Sequence, residues 1–315
     1  MPHRLMEAVP NLSEGRDLAV VEAAVEAVLG AGAEVLDWSA DPDHNRSVLT
    51  LLGTPETIEA ASVSLARVAA ERIDLRRHRG VHPRVGALDV LPFVPLVHAS
   101  MEDARALAHR VGRAISREVG VPVYYYAQAS SPPGRALADL RRGGFETLAA
   151  GWPRGREPDA LPPAWTHAGA HPTAGAVCVG ARDVLLAWNV LIHGVDLGAA
   201  RGIARAIRAA NGGFAGVRAL AFRLDRRDAV QISMNVEDLA ATDPLEVYRA
   251  IETSVASLGG AMGATEVIGL LPDGALRGAA AERLRLGPLG GERVLGARVL
   301  EALGARDWAV GDSSK

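Results

Sequence analysis

Two short segments concentrate groups able to move protons and hold anions. The first reads Arg76-Arg77-His78-Arg79-Gly80-Val81-His82-Pro83-Arg84-Val85-Gly86-Ala87-Leu88-Asp89-Val90. His78 and His82 have the spacing of neighbours on a helix face, but Gly80 between them and Pro83 directly after them oppose a regular helix. The segment therefore reads as a loop entering a strand. An imidazole titrating near ~6.5 can accept and return a proton at neutral pH. The arginines around it can grip carboxylates through paired N–H donors. On residue types alone, a solvated basic turn stays open beside this reading.

The second segment is Asp37-Trp38-Ser39-Ala40-Asp41-Pro42-Asp43-His44-Asn45-Arg46-Ser47. It gathers carboxylate, imidazole, amide and guanidinium between two expected strands. Such residues also favour turns for backbone reasons of their own. A metal-dependent hydrolase using Asp41, Asp43, His44, His78 and His82 is an alternative, although no spacing such as His-Glu-x-x-His supports it. Asparagine and arginine suit hydrogen bonding to an organic substrate better than metal ligation.

Composition limits what these segments could serve. The chain has 315 residues, 49% of them hydrophobic, which is enough to bury an ordinary core in one large or two smaller domains. A net charge of −3 from 34 basic and 37 acidic residues argues against nucleic acid or an anionic membrane as partner. Cys178 is the single cysteine, so an intramolecular disulfide is impossible and a reducing, cytoplasmic setting is expected. Glu7, Glu14 and two early prolines break the apolar run an export signal needs. The apolar stretch 86–99 is interrupted by Asp89, Pro92 and Pro95 and is too short to span a bilayer.

The elements that must position these residues alternate between strand and helix, the pattern of an α+β protein. Strands are expected at 5–9, 34–39, 47–52, 86–97 and 121–127. Helices are expected at 17–29, at 54–72 with a Thr-Pro start, and at 100–119 behind a Ser100/Asp103 capping box and before Gly120. A stretch rich in Gly, Pro and Trp, 151–175, reads as the boundary. After it come strands at 176–179, 184–192, 217–224, 229–235 and 266–271, with helices starting near Asp196 and Asp243. The expected domains are therefore 1–175 and 176–276, with a tail at 277–315 whose role is not readable.

Several motifs in order resemble the formiminotransferase family, including the N-terminal half of vertebrate formimidoyltransferase-cyclodeaminase. They are Val9-Pro10-Asn11-Leu12-Ser13-Glu14-Gly15-Arg16, Asp43-His44-Asn45-Arg46-Ser47-Val48 and, above all, His82-Pro83-Arg84-Val85-Gly86-Ala87-Leu88-Asp89-Val90. The segments Val121–Tyr124, His171–Ala176, Val179–Arg182, Asn189-Val190, Gln231–Asn235 and Glu266–Leu270 follow in the family order. The resemblance implies two tandem ferredoxin-like α/β subdomains, a ligand groove between them, and a homodimer.

It also implies transfer of a formimidoyl group between a tetrahydrofolate derivative and L-glutamate, with N-formimidoyl-L-glutamate as the other product or substrate. That is one-carbon chemistry of histidine degradation in the cytoplasm. No tightly bound cofactor and no metal are expected, because folate is a substrate here. His82 matches the family's catalytic histidine, and Arg84 matches beside it. The matching segments nominate Asp41, His44, Asn45, Arg46, His171, Asn189, Gln231 and Asn235 for substrate binding. Ser39 departs from an aspartate of the vertebrate pattern, which Asp41 could replace. Ala164-Trp165-Thr166-His167 stands where the family commonly has Asp-Phe-Gly-Pro. A formyltransferase acting on 5-formyltetrahydrofolate and a noncatalytic folate-like sensor are the alternatives.

Overall fold

A computed structural model describes residues 4–272 and 275. It divides into two compact units, the first ending at Asp183 and the second starting at Val184. The expected tail at 277–315 lies outside the described residues.

The first unit opens with β1 (Met6–Ala8) and β2 (Asn11–Leu12), two pieces of one interrupted central strand. There follow α1 (Leu18–Gly30), β3 (Glu34–Asp41), β4 (Arg46–Gly53), α2 (Pro55–Arg72) and β5 (Leu88–Pro95). Sequence chemistry sets the helix starts. The Asp17 carboxylate caps α1 and the Thr54 hydroxyl caps α2, whose first turn carries Pro55. β4 pairs antiparallel with β3 on one side and β1 on the other, and β1 pairs antiparallel with β5. The unit then adds α3 (Met101–Ala114), β6 (Val123–Ala127), α4 (Leu137–Leu140), α5 (Gly144–Ala150) and β7 (Val177–Ala181).

Ser100 and Asp103 form the expected capping box on α3. Past Ala114 the helix widens, with Gly120 N–H donating to Ile115 O at 3.2 Å, and left-handed Gly120 ends it. One hydrophobic cluster joins α1, α2 and α3 to Met6, Ala8, Leu12, Leu49, Leu51, Leu91 and Phe93. A second, around Leu140 and Leu148, covers the other side of β5, β6 and β7 through Val90, Tyr124, Tyr126 and Cys178.

The second unit runs β8 (Leu186–His193), α6 (Leu197–Ile207), β9 (Val217–Leu224), β10 (Ala229–Val236), α7 (Pro244–Ser257) and β11 (Ala261–Ile268). Its sheet is antiparallel in the order β11-β8-β10-β9. The two units share a connectivity: strand, helix, two strands, helix, strand, with the first strand between the third and the fourth. α6 and α7 pack on Trp188, Val190, Ile192, Ile232 and Met234, all on one side of the sheet.

The division of the chain differs from the expected one at residue 175. The strand just after it, β7, pairs parallel with β5 and β6 and so completes the first sheet. The Gly- and Pro-rich stretch before it is no linker. Val123 N–H donates to Ala160 O at 2.9 Å, Ala170 N–H to Leu148 O at 2.8 Å and Ala87 N–H to Ala174 O at 2.8 Å. Lack of apolar periodicity marked an irregular segment correctly, but irregular backbone can be hydrogen-bonded into a unit as firmly as a strand. The short helices α4 and α5 carry too little pattern to be expected from sequence.

Candidate functional site

The two chemistry-bearing segments meet in the first unit. The turn between β3 and β4 is built by its own polar side chains. Asp41 Oδ1 accepts from Asp43 N–H and His44 N–H, both at 2.8 Å, and Asn45 takes a left-handed conformation with φ 48°. Asn45 Oδ1 accepts from Gly15 N–H at 3.0 Å, and its Nδ2 donates to Arg79 O at 3.1 Å. Asn45 thus ties the N-terminal segment to the histidine loop. Two glycines allow the approach: a Cβ on Gly80 would stand 2.2 Å from His44 O, and one on Gly15 would stand 2.3 Å from Asp41 O.

At the centre lies Asp89, 0% exposed. Its Oδ1 accepts from Val85 N–H at 2.8 Å and Gly86 N–H at 3.3 Å. Its Oδ2 accepts from Arg46 Nη1 at 2.8 Å and from Arg141 Nη2. Arg46 also donates to Asn11 Oδ1, from Nε at 3.1 Å and Nη2 at 2.8 Å. Burial alone would raise the Asp89 acid, but Arg141, Arg46 and the Val85 amide hold it well below the usual carboxylate range. Burial lowers Arg46 to about 10 against the opposing pull of Asp89. Two guanidiniums against one carboxylate leave the cluster a net positive charge.

His82 stands beside this cluster. Its Nδ1 lies 2.8 Å from Pro83 O. A carbonyl can only accept, so Nδ1 carries the proton and Nε2 the lone pair. Burial first, then Arg46 and Arg141, hold its pKa well below the ordinary 6.5, so the ring is neutral at physiological pH. His44 packs edge-on against it, ring centroids 6.0 Å apart. His78 is also buried, and it is bound into the loop: Nε2 donates to Asn45 O at 2.7 Å, and Nδ1 has no hydrogen-bond partner among the described residues. Burial also lowers the His78 pKa.

Arg84 is engaged by protein groups. Its Nη2 pairs with Glu146 Oε1 at 2.9 Å and donates to Leu75 O at 3.2 Å and His78 O at 3.4 Å, which braces the loop. His171 sits in a turn whose strand partner is the base of the same loop, since Ala176 N–H donates to Val85 O at 3.0 Å. His171 Nδ1 accepts from Thr173 N–H at 3.3 Å and Ala174 N–H at 3.0 Å.

Asn189, Gln231 and Asn235 belong to the second unit. The strand register puts all three on the sheet side away from α6 and α7, with Glu266 opposite Asn189. Glu266 Oε1 accepts from Asn189 Nδ2 at 3.0 Å and Gln231 Nε2 at 3.4 Å. Gln231 is 0% exposed.

Sequence reasoning missed Arg141 and Glu266 as site residues and did not single out Asn11 or Asp89 within the motifs that contain them. Arg141 carries no sequence signal, lying 52 residues from the carboxylate it pairs with. Among the described residues no group of three or more His, Cys, Asp or Glu is arranged to hold a metal ion. None of the described helices is long and apolar enough to cross a membrane.

Comparison with known proteins gives two adjacent matches. Residues 5–182 match the model of the formiminotransferase domain, N-terminal subdomain, and residues 187–285 that of the formiminotransferase domain. The break between them agrees with the division at Asp183. A glutamate formimidoyltransferase of Streptococcus pyogenes serotype M1 is 35% identical over 275 residues, 87% of this chain and 91% of that protein. One of Thermoplasma acidophilum is 39% identical over 278 residues, 86% of this chain and 89% of that protein. The formimidoyltransferase-cyclodeaminase of Gallus gallus is 36% identical over 88% of this chain, which spans about half of that protein, 52%.

Proposed function

Because this chain belongs to the formiminotransferase family, we propose that it is a glutamate formimidoyltransferase, exchanging a formimidoyl group between 5-formimidoyltetrahydrofolate and L-glutamate. The observation that carries the reading is the neutral His82 imidazole beside the Arg46–Asp89–Arg141 cluster, within a chain that matches the family along nearly all its described length.

The glutamate amine attacks the formimidoyl carbon on N5 of the folate, forming one C–N bond and a tetrahedral intermediate. His82 Nε2 takes the proton released by the amine and returns it to N5 as the C–N5 bond breaks. Such a group contributes roughly 10² to 10⁴ in rate. The two guanidiniums keep the imidazole neutral, ready to accept a proton, and their surplus charge favours the carboxylates of glutamate. Asp41, Asn45, Arg84 and His78 shape the loop, while His44 packs on the catalytic ring. No step calls for a metal or a resident cofactor, since folate arrives as substrate.

The two units are tandem ferredoxin-like subdomains. Their common connectivity supports this. Asn189 and Gln231, buried polar groups on a helix-free sheet side, suit contact with an organic ligand. His171 in the first unit and Asn235 in the second are further substrate-binding residues. The protein acts as a cytoplasmic homodimer, the state that sedimentation should report.

The deciding assay measures tetrahydrofolate released from 5-formimidoyltetrahydrofolate with and without glutamate, beside 5-formyltetrahydrofolate as the rival donor. Release that depends on glutamate and on the formimidoyl donor is expected. Turnover of the formyl donor alone would favour the formyltransferase, and binding without turnover would favour a sensor.

A further inference from the structure

Glu7 sits in β1, the centre of the first sheet. Met6, Ala8 and Leu12 point into the helix-side core, so by alternation Glu7 and Asn11 share the opposite side. Cross-strand neighbours of Glu7 are Leu52 and Val94, both buried and apolar. The residue is 6% exposed. Among the described residues its carboxylate accepts no hydrogen bond. Arg182 acts on it only through space and donates instead to Asp183 O at 2.8 Å. Burial raises the acid to about 7, opposed by Arg182.

An apolar residue would fit between Leu52 and Val94 at no desolvation cost. A carboxylate in that position, with no hydrogen-bond partner among the described residues, is expensive unless a ligand completes it. A carboxylate's two oxygens match two parallel N–H donors. Folate offers one such pair away from its reacting nitrogen: N3–H and the 2-amino group of its 2-amino-4-oxopyrimidine edge. Its glutamate tail is anionic and would be repelled. Four residues of extended chain, ~13 Å, separate Glu7 from Asn11, which holds Arg46 at the His82 cluster. That interval suits a bicyclic ring whose N5 faces His82.

We propose that Glu7 is a substrate-binding residue that receives the N3–H and 2-amino donors of the folate's pyrimidine edge and thereby sets which end of the ring reaches His82. This deepens the function proposed above and rests on it.

The test compares the wild type with Glu7→Gln, a near-isosteric change that replaces one acceptor by a donor. Tetrahydrofolate binding is measured by calorimetry, and turnover is measured with each substrate varied. A 2-desamino tetrahydrofolate serves as the second probe. Glu7→Gln should weaken tetrahydrofolate binding roughly tenfold or more and leave the KM for N-formimidoylglutamate within about twofold. The wild type should lose a comparable factor on the desamino analogue, and the variant should lose nothing further. Unchanged tetrahydrofolate affinity in the variant, or a variant that still discriminates between the two folates as the wild type does, overturns the assignment. If the wild type neither binds tetrahydrofolate nor transfers the group, the proposed function falls as well. Normal turnover with a variant of undiminished folate affinity removes Glu7 alone.

Discussion

Replacing Glu7 by glutamine should stabilise the free protein at alkaline pH and do little in acid. Burial lifts this acid from an ordinary 4.5 to about 7 in the folded chain. An acid with a folded pKa above its unfolded one holds its proton more tightly when folded. Its favourable contribution is therefore intact below 4.5 and is lost as pH rises through 7, where the folded state must carry a buried charge. At 1.36 kcal/mol for each pH unit between the two values, the penalty approaches a ceiling of about 3 kcal/mol. Most of it, roughly 2 to 3 kcal/mol, develops between pH 5 and pH 8, because the unfolded chain is already largely ionised at pH 5. Paired urea titrations of wild type and Glu7→Gln at both pH values isolate the effect, since every other titrating group is common to the two. The gap should widen with pH in favour of the variant. Parallel profiles, differing by less than about 0.5 kcal/mol across the range, would refute the assignment of Glu7 as an unpaired buried acid.

Other outcomes follow from the same cluster. His82→Ala should lower turnover by about 10² or more while folate affinity stays within several-fold. In ring NMR the His82 imidazole should take up its proton well below the ordinary histidine range, and a midpoint at or above the ordinary value would contradict the combined effect of burial, Arg46 and Arg141. Asp89→Asn leaves two buried guanidiniums uncompensated and should cost about 3–5 kcal/mol in urea denaturation at neutral pH. Because the Asp89 acid is depressed, that contribution is present above its ordinary 3.8 and fades as pH falls, so wild type and variant should converge in strong acid. Gly80→Ala forces the loop off His44 O and should reduce kcat roughly tenfold or more. Gly202→Ala in α6 meets open space and should be neutral or stabilising by up to ~1 kcal/mol, which makes it the control for both measurements.

The loop character of 76–85 was legible because Gly80 and Pro83 both oppose a regular helix through their own backbone properties. The strands β3, β4, β8, β9 and β10 were legible because their apolar runs are bounded by turn residues. The boundary near 175 was not. Whether β7 joins the sheet before it or the one after it depends on which edge offers unpaired backbone groups, and no residue of Val177–Ala181 encodes that choice. Asp41 and Asn45 were nominated as substrate ligands by the family resemblance. What the sequence did not reveal is that the same side chains accept from backbone amides, and that Asn45 donates to a carbonyl, so that they also build the turn.

By itself the sequence determined the family, through several motifs standing in the family order, and the chemistry available: a histidine next to a rigid proline and a set of arginines. Only the tertiary structure decided which of two histidines is buried as a brace and which keeps its base nitrogen beside the cationic cluster. It also recruited Arg141 to Asp89 and left the Glu7 carboxylate without a hydrogen bond among the described residues. The reason is physical. Residue type sets what a group can donate, accept or titrate, but its charge state and partners depend on burial and on groups distant along the chain, which only folding brings within hydrogen-bond reach.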